Sequence, residues 1–375
     1  MSRARTFADL ATASEEGSLA NRNYFYNGDM QVYQKGSVSV ASDSIASTTL
    51  DRWRMYNYSD GAVTVTQDTN APSATAFTKS LKIDVTTADS SIGADEVAFI
   101  QQRFEGQDLQ NFLKGTSNAK KATLQFWVSS PKTGTHIVEW YDTDNTRQIS
   151  KTYTISSANT WEFKTITFDA DTTGTWNNDN LQSLEITWWL CAGTNFTSGT
   201  LNTTWGSVTA ANRAVGQVNT FDNTSNNFYL TGVQLELGEV ATSFKHESFS
   251  DNLARCQRYF CKSTTYGTAP GHGQDATTNC VSIDMASNLM RTSRIFFPTS
   301  MRADPTVTCH AQSGVSGSSS GQWAGYISTT WTHFSFSGGN VTTEGFCGSA
   351  SSTAGSQDGY AYWTHANWEA TAELG

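Results

Sequence analysis

Along residues 21–245, apolar and polar positions alternate in short runs. The runs are AVTVTQ (62–67), SLKIDV (80–85), EVAFIQQRF (96–104), ATLQFWVS (122–129), HIVEWYD (136–142), WEFKTITFD (161–169), LEITWWLC (184–191) and FYLTGVQLEL (228–237). A period of two marks a strand with one face buried. Turn-forming stretches such as SPKTG and DADTTG separate the runs, and no helical pattern intervenes. Many short strands of this kind predict an antiparallel β-sandwich of jelly-roll type. In the last run Val233, Leu235 and Leu237 point one way and Gln234 and Glu236 the other. That strand is expected to close the sandwich half buried.

Two stretches follow a helical period instead. Residues 2–19 place Phe7, Leu10, Ala11 and Ser14 on one face. A helix this short is marginal in water, so it is expected to dock on another copy or another protein. SFSDNLARCQRYF (248–260) predicts a second helix, with Ser248 and Asp251 in a capping pattern. Phe249, Leu253, Cys256 and Phe260 form an apolar stripe near a seven-residue rhythm, suited to its own domain or to counterparts around an axis. After Tyr266 the chain turns β-like again in CVSIDMAS, TSRIFFP and PTVTCHA, with a flexible loop SGVSGSSSG and aromatic-rich WAGYISTTWTHFSF and GYAYWTHANW. The expected organisation is mostly β: an N-terminal helix at 1–20, the sandwich at 21–247, a connecting helix at 248–262, and a second β-rich domain at 263–375.

Composition removes whole classes of function. The 375 residues carry a formal net charge of −10, and only 15% of them are charged. Nucleic acid wants clustered Lys and Arg, so neither it nor an anionic membrane is an expected partner. No apolar run approaches the ~20 residues of a membrane span, and no signal-peptide core is legible at the N-terminus. The six cysteines, Cys191, Cys256, Cys261, Cys280, Cys309 and Cys347, form no C-x-x-C pair. They are expected to be free, buried thiols rather than disulfides or zinc ligands.

ANRNYFYNGDMQVYQKG (20–36), LDRW (50–53), YLTGVQLELGEVATSFKHESF, LARCQRYF (253–260) and FFPTSMRADPTVT (296–308) together resemble tail-fibre and related receptor-binding proteins of tailed bacteriophages. The resemblance implies a virion protein assembled in the host cytoplasm, usually a homotrimer, attached to other virion proteins by an N-terminal segment. It further implies a sandwich like those of carbohydrate-binding modules and a distal β-rich head.

No nucleophile, zinc, dinucleotide or phosphate-loop motif is legible, and no cofactor is expected. A glycosidase would need two facing carboxylates, for which Glu139 and Glu185 are the candidates. The polar faces of three strands are more informative. Strand alternation puts Gln125 and Trp127, Glu139 and Tyr141, and Glu185, Thr187 and Trp189 opposite the apolar faces. Flat rings beside planar acceptors suit a pyranose, so these residues are candidate binders of a host cell-surface glycan. If a second layer covers that face, the two Trp are core instead. DADTTG resembles the first half of a calcium loop, but Asn180 stands at the twelfth position, and Asx turns are the plainer reading. In the second domain Trp331, Trp363 and Trp368 sit among small residues, as a receptor surface or as core and trimer interface.

Overall fold

The computed structural model describes residues 23–48, 50–269, 283–286, 289–311, 322–327, 330–351 and 363–374. The helix expected at 1–20, with Phe7, Leu10 and Ala11, lies outside them, as does Cys280. The chain forms two compact units. One is the chain up to Gln31, Ser37–Ser248 and Leu374; the other is Val32–Gly36 with Phe249–Glu373.

The first unit opens with β1 (Val38–Val40), β2 (Ser44–Thr48), β3 (Arg54–Tyr58), β4 (Ala62–Asp68), β5 (Ser80–Thr87) and β6 (Val97–Glu105). There follow β7 (Ala122–Ser129), β8 (Gly134–Asp142), β9 (Arg147–Ile155), β10 (Glu162–Phe168) and β11 (Gln182–Ala192). A one-turn helix α1 (Thr194–Thr197), β12 (Gly206–Ser207) and β13 (Asn227–Leu237) complete it. Sheet A has the order β1-β4-β5-β13-β7-β10, and sheet B the order β12-β9-β8-β11-β6-β3-β2. The pairings are antiparallel, and the chain passes repeatedly between the sheets, as in a jelly roll.

The apolar faces meet between the sheets. Phe126 of β7 lies edge-on to Trp188 of β11 at 5.6 Å, and Trp140 of β8 stacks on Phe168 of β10 at 4.3 Å. Phe25 and Trp53 close on the same Trp188. Leu124, Phe126 and Val128 therefore face inward, as does Trp188 with Leu184 and Ile186, all fully buried. The expected half-buried last strand is corrected: β13 is buried on both faces. Gln234 and Glu236 are covered because the chain folds back over them, with Lys245 N–H donating to Gln234 Oε1 and Thr242 N–H to Glu236 Oε1.

The second unit holds helix α2 (Phe249–Gln257), β14 (Phe260–Lys262), β15 (Ile283–Ala286), β16 (Leu289–Thr292) and β17 (Ile295–Phe296). β18 (Thr306–Ala311), β19 (Gln322–Ile327), β20 (Thr330–Thr342), β21 (Gly345–Ser351) and β22 (Trp363–Thr371) follow. The connecting helix is shorter than 248–262: it ends at Gln257, and Phe260 begins a strand paired with β22. The continuous oligomer stripe is corrected accordingly. Cys256 and Phe260 are buried in their own unit, Leu253 is half-buried, and Phe249 is exposed. Cys191, Cys256, Cys261 and Cys309 are buried thiols outside any disulfide, and burial pushes the Cys261 thiol up to about 12.

Candidate functional site

The six residues expected to hold a glycan do not share a surface. Phe126 and Trp188 point at each other across the core, so their neighbours in each strand point away from it. Gln125 and Trp127 lie on the outer face of sheet A; Glu139, Tyr141, Glu185 and Trp189 lie on the outer face of sheet B.

On sheet B the grouping is real but closed. Thr187 pairs with Glu139 on one side and Gln101 on the other, and Glu185 with Tyr141 and Arg103. The chain after β11 folds back over this face. Arg213 donates from Nε to Glu139 Oε1 at 2.7 Å and from Nη2 to Oε2 at 3.0 Å, and the Trp189 indole N–H donates to the same carboxylate at 3.1 Å. Phe196 of α1 packs on Trp189 at 5.8 Å. Trp189 and Glu139 are therefore fully buried, and the sugar platform at Trp189 is corrected to core. Burial pushes the Glu139 carboxyl above the usual range despite Arg213 beside it. Glu185 is held by Arg103 at 2.9 Å and by Gln182. Tyr141 keeps a half-exposed ring, but the Arg213 guanidinium lies 5.4 Å from its centre.

The outer face of sheet A is covered over Gln234 and Glu236 but open at its β10 edge, around Phe163. Trp127 is half-buried and sits 5.3 Å from Phe163, its cross-strand partner on β10, which is 46% exposed. One step along, Trp161 and Tyr229 lie 6.0 Å apart, and the Trp161 indole N–H donates to Asn70 Oδ1. On the other side of Trp127 comes Gly232, at the register shift of β13 and with φ of +62°. A Cβ built there would meet Phe77 Cζ at 2.7 Å and Trp127 Cδ1 at 3.1 Å, so the missing side chain lets both rings crowd the strand. Phe77 then packs edge-on to Phe244 at 5.0 Å. The result is an aromatic row, Phe163–Trp127–Phe77–Phe244, with Trp161 and Tyr229 beside it. Exposed Thr165, Thr78 and Asn70 flank it. Of the candidate residues only Trp127 belongs to this row; Gln125 is 2% exposed and lies too deep to meet a ligand. Phe163, Trp161, Phe77 and Phe244 escaped the sequence reading. The run WEFKTITFD carried the signal, since Trp161 and Phe163 alternate with Thr165 and Thr167 on one face.

The acid-bearing turn DADTTG also finds a role. Lys114 is buried, and its ammonium meets Asp142 Oδ2 at 2.6 Å, Asp171 Oδ2 at 3.1 Å, Gly174 O at 2.8 Å and Thr173 O at 2.9 Å. Asp171 is also clasped by Arg147, at 2.7 and 3.0 Å, and accepts from Thr173 N–H in an Asx turn. Burial alone would raise the Asp171 carboxyl, but these donors and the Lys114 charge hold it below the usual range.

In the second unit Trp368 is corrected from receptor contact to core. It is 6% exposed and packs between Phe297 and Phe346, each at 5.6 Å. The backbones of Trp331 and Trp363 both pair with Tyr326, which places them on β20 and β22 at either side of β19.

No family model matches the sequence, and no curated protein matches it. Some solved structures are similar. The enzymatically active domain of tailspike protein 4 of bacteriophage CBA120 is 14% identical with a TM-score of 0.29, over 57% of this chain and 21% of that one. A putative sugar binding protein from Bacteroides thetaiotaomicron is 14% identical with a TM-score of 0.34, over 58% of this chain and 100% of that one. TmCBM61, solved in complex with β-1,4-galactotriose, is 11% identical with a TM-score of 0.30, over 58% of this chain and 100% of its own. This chain thus spans about a fifth of the tailspike chain. A likeness at this level names no ligand for the present protein.

Proposed function

We propose that the chain is a non-catalytic fibre protein of a phage virion, on tail or side fibre, that recognises a host surface glycan through the outer face of sheet A. The aromatic row carries this reading. Among the described Trp of the sandwich, Trp53, Trp140, Trp176, Trp188 and Trp189 are buried. Trp127, Trp161 and Trp205 are instead half-exposed, and the first two share the outer face of sheet A with the exposed ring of Phe163, whereas Trp205 lies beside Lys114. A pyranose lays its C–H face on such rings while its hydroxyls meet Thr and Asn at the rim. The phage-fibre-like segments of the sequence supply the biological setting. The absence of catalysis is supported by Glu139 and Glu185, each engaged by an arginine rather than open to a substrate.

Phe163→Ala and Trp127→Ala test the reading on an array of bacterial surface polysaccharides. Loss of a stacking ring costs about 1–3 kcal/mol by analogy with base stacking, or roughly tenfold to a hundredfold in affinity. Phe163, being exposed, is expected to lose binding with its melting temperature unchanged. Wild-type binding by both variants would reject the row. Released reducing ends would make the chain an enzyme.

A further inference from the structure

Four oxygens converge on the Lys114 ammonium: carboxylate oxygens of Asp142 at the end of β8 and of Asp171 in the turn after β10, and two consecutive backbone carbonyls, Thr173 and Gly174. The side chains of Lys114, Asp142 and Asp171 are 3%, 0% and 4% exposed. Buried carboxylates need a counter-charge, and consecutive carbonyls aimed at one point need a donor or a cation. An ordinary surface lysine pairs with one acid and keeps the rest of its ammonium in water. This one is enclosed by oxygen, with the rings of Trp176 and Trp205 5.5 and 5.4 Å away.

The oxygen set is that of a hard cation. Calcium takes carboxylates and backbone carbonyls in flexible geometry at about 2.3–2.6 Å, whereas magnesium demands near-octahedral contacts at about 2.0–2.1 Å. The N···O distances here run from 2.6 to 3.1 Å, so calcium is reached by a contraction of a few tenths of an ångström. The cage also ties together three stretches distant in sequence, at 114, at 142 and at 171–174. Gly174 holds a φ of +70° and presents its carbonyl to the ammonium. We propose that this is a calcium-type site that the chain fills with its own ammonium, and that shortening Lys114 turns it into a working calcium site. The native sandwich then carries its cation covalently and keeps these loops closed without drawing on external metal.

Lys114→Ala in the full chain tests this, with terbium as the probe. Trp176 and Trp205 stand close enough to sensitise its luminescence. The variant is expected to show saturable terbium luminescence that calcium competes away, and a melting temperature higher in calcium than in chelator. Wild type is expected to show neither. Adding Asp142→Asn to Lys114→Ala is expected to abolish the binding. The proposal is overturned by a folded Lys114→Ala that binds no terbium and melts alike in calcium and chelator. It is equally overturned by a variant that stays unfolded in millimolar calcium, by an equal terbium signal from wild type, or by undiminished binding in the double variant.

Discussion

His136 shows how one buried ring ties stability to pH. It is fully buried on β8, stacked 5.4 Å from Tyr153, with Nε2 3.2 Å from the Lys132 carbonyl. Burial disfavours the imidazolium, and the nearby Lys132 and Lys164 charges add to this, so its pKa falls from 6.5 to about 4. The hydrogen bond to Lys132 O opposes the shift without reversing it. The unfolded chain therefore binds this proton more readily than the folded one. Stability from neutral His136 is complete above about pH 6.5 and is lost as pH falls toward about 4. At about 1.36 kcal/mol per unit the loss amounts to roughly 3 kcal/mol. Urea midpoints measured between these limits are expected to fall in wild type and to fall much less in His136→Gln. Equal slopes would contradict the assignment.

At the scale of strands, period-two alternation told correctly which residues face the core and which face away. Trp188 points in and Trp189 out, as LEITWWLC implied. Alternation is silent about what lies over an outward face. The cover on Trp189 comes from residues 193–214, a stretch of one-turn helix and short strand with no periodic signal, so its fate as core was not legible. The parting of Trp127 from Glu139 was hidden for a related reason, because strand order between sheets is set by long-range pairing. β9, with its Arg147–Ile155 register against β8, carries no clean signal, since RQISKTYTI mixes Lys and Thr into its alternation. The turn DADTTG carried Asp171 in plain sight, but its partner Lys114 lies over fifty residues earlier and no spacing rule joins them. β13 makes the same point in reverse, for its departure from regular pairing serves the open face. Gly232 sits at the register shift with a left-handed backbone, between the rings of Phe77 and Trp127. Gly232→Ala is expected to cost at least about 1 kcal/mol from backbone handedness alone. It is also expected to push the two rings apart, so glycan affinity falls together with melting temperature. Unchanged affinity would separate the bulge from the recognition surface.

At the scale of the whole chain, the second unit draws on residues far upstream of its main run. Its first contacts come from Val32–Gly36, long before Phe249. Gln34 is buried and donates from Nε2 to the Phe260 carbonyl at 3.0 Å. The Lys35 ammonium lies 4.2 Å from the centre of the Phe260 ring and 3.8 Å from Glu373 Oε1. Tyr33 N–H donates to the Tyr266 hydroxyl. A fragment starting at residue 249 lacks all of these, uncovers one face of Phe260 and leaves its carbonyl without this donor. An unmet buried polar group costs about 1–3 kcal/mol, and the lost apolar cover adds to it. The fragment 249–375 is therefore expected to unfold at a lower urea concentration than the same fragment with residues 31–37 fused ahead of it through a flexible linker. Gln34→Ala in the fused fragment is expected to remove part of the gain, because it withdraws a buried side-chain donor. Equal midpoints for the bare and the fused fragments would show that the strap rests on the unit without holding it.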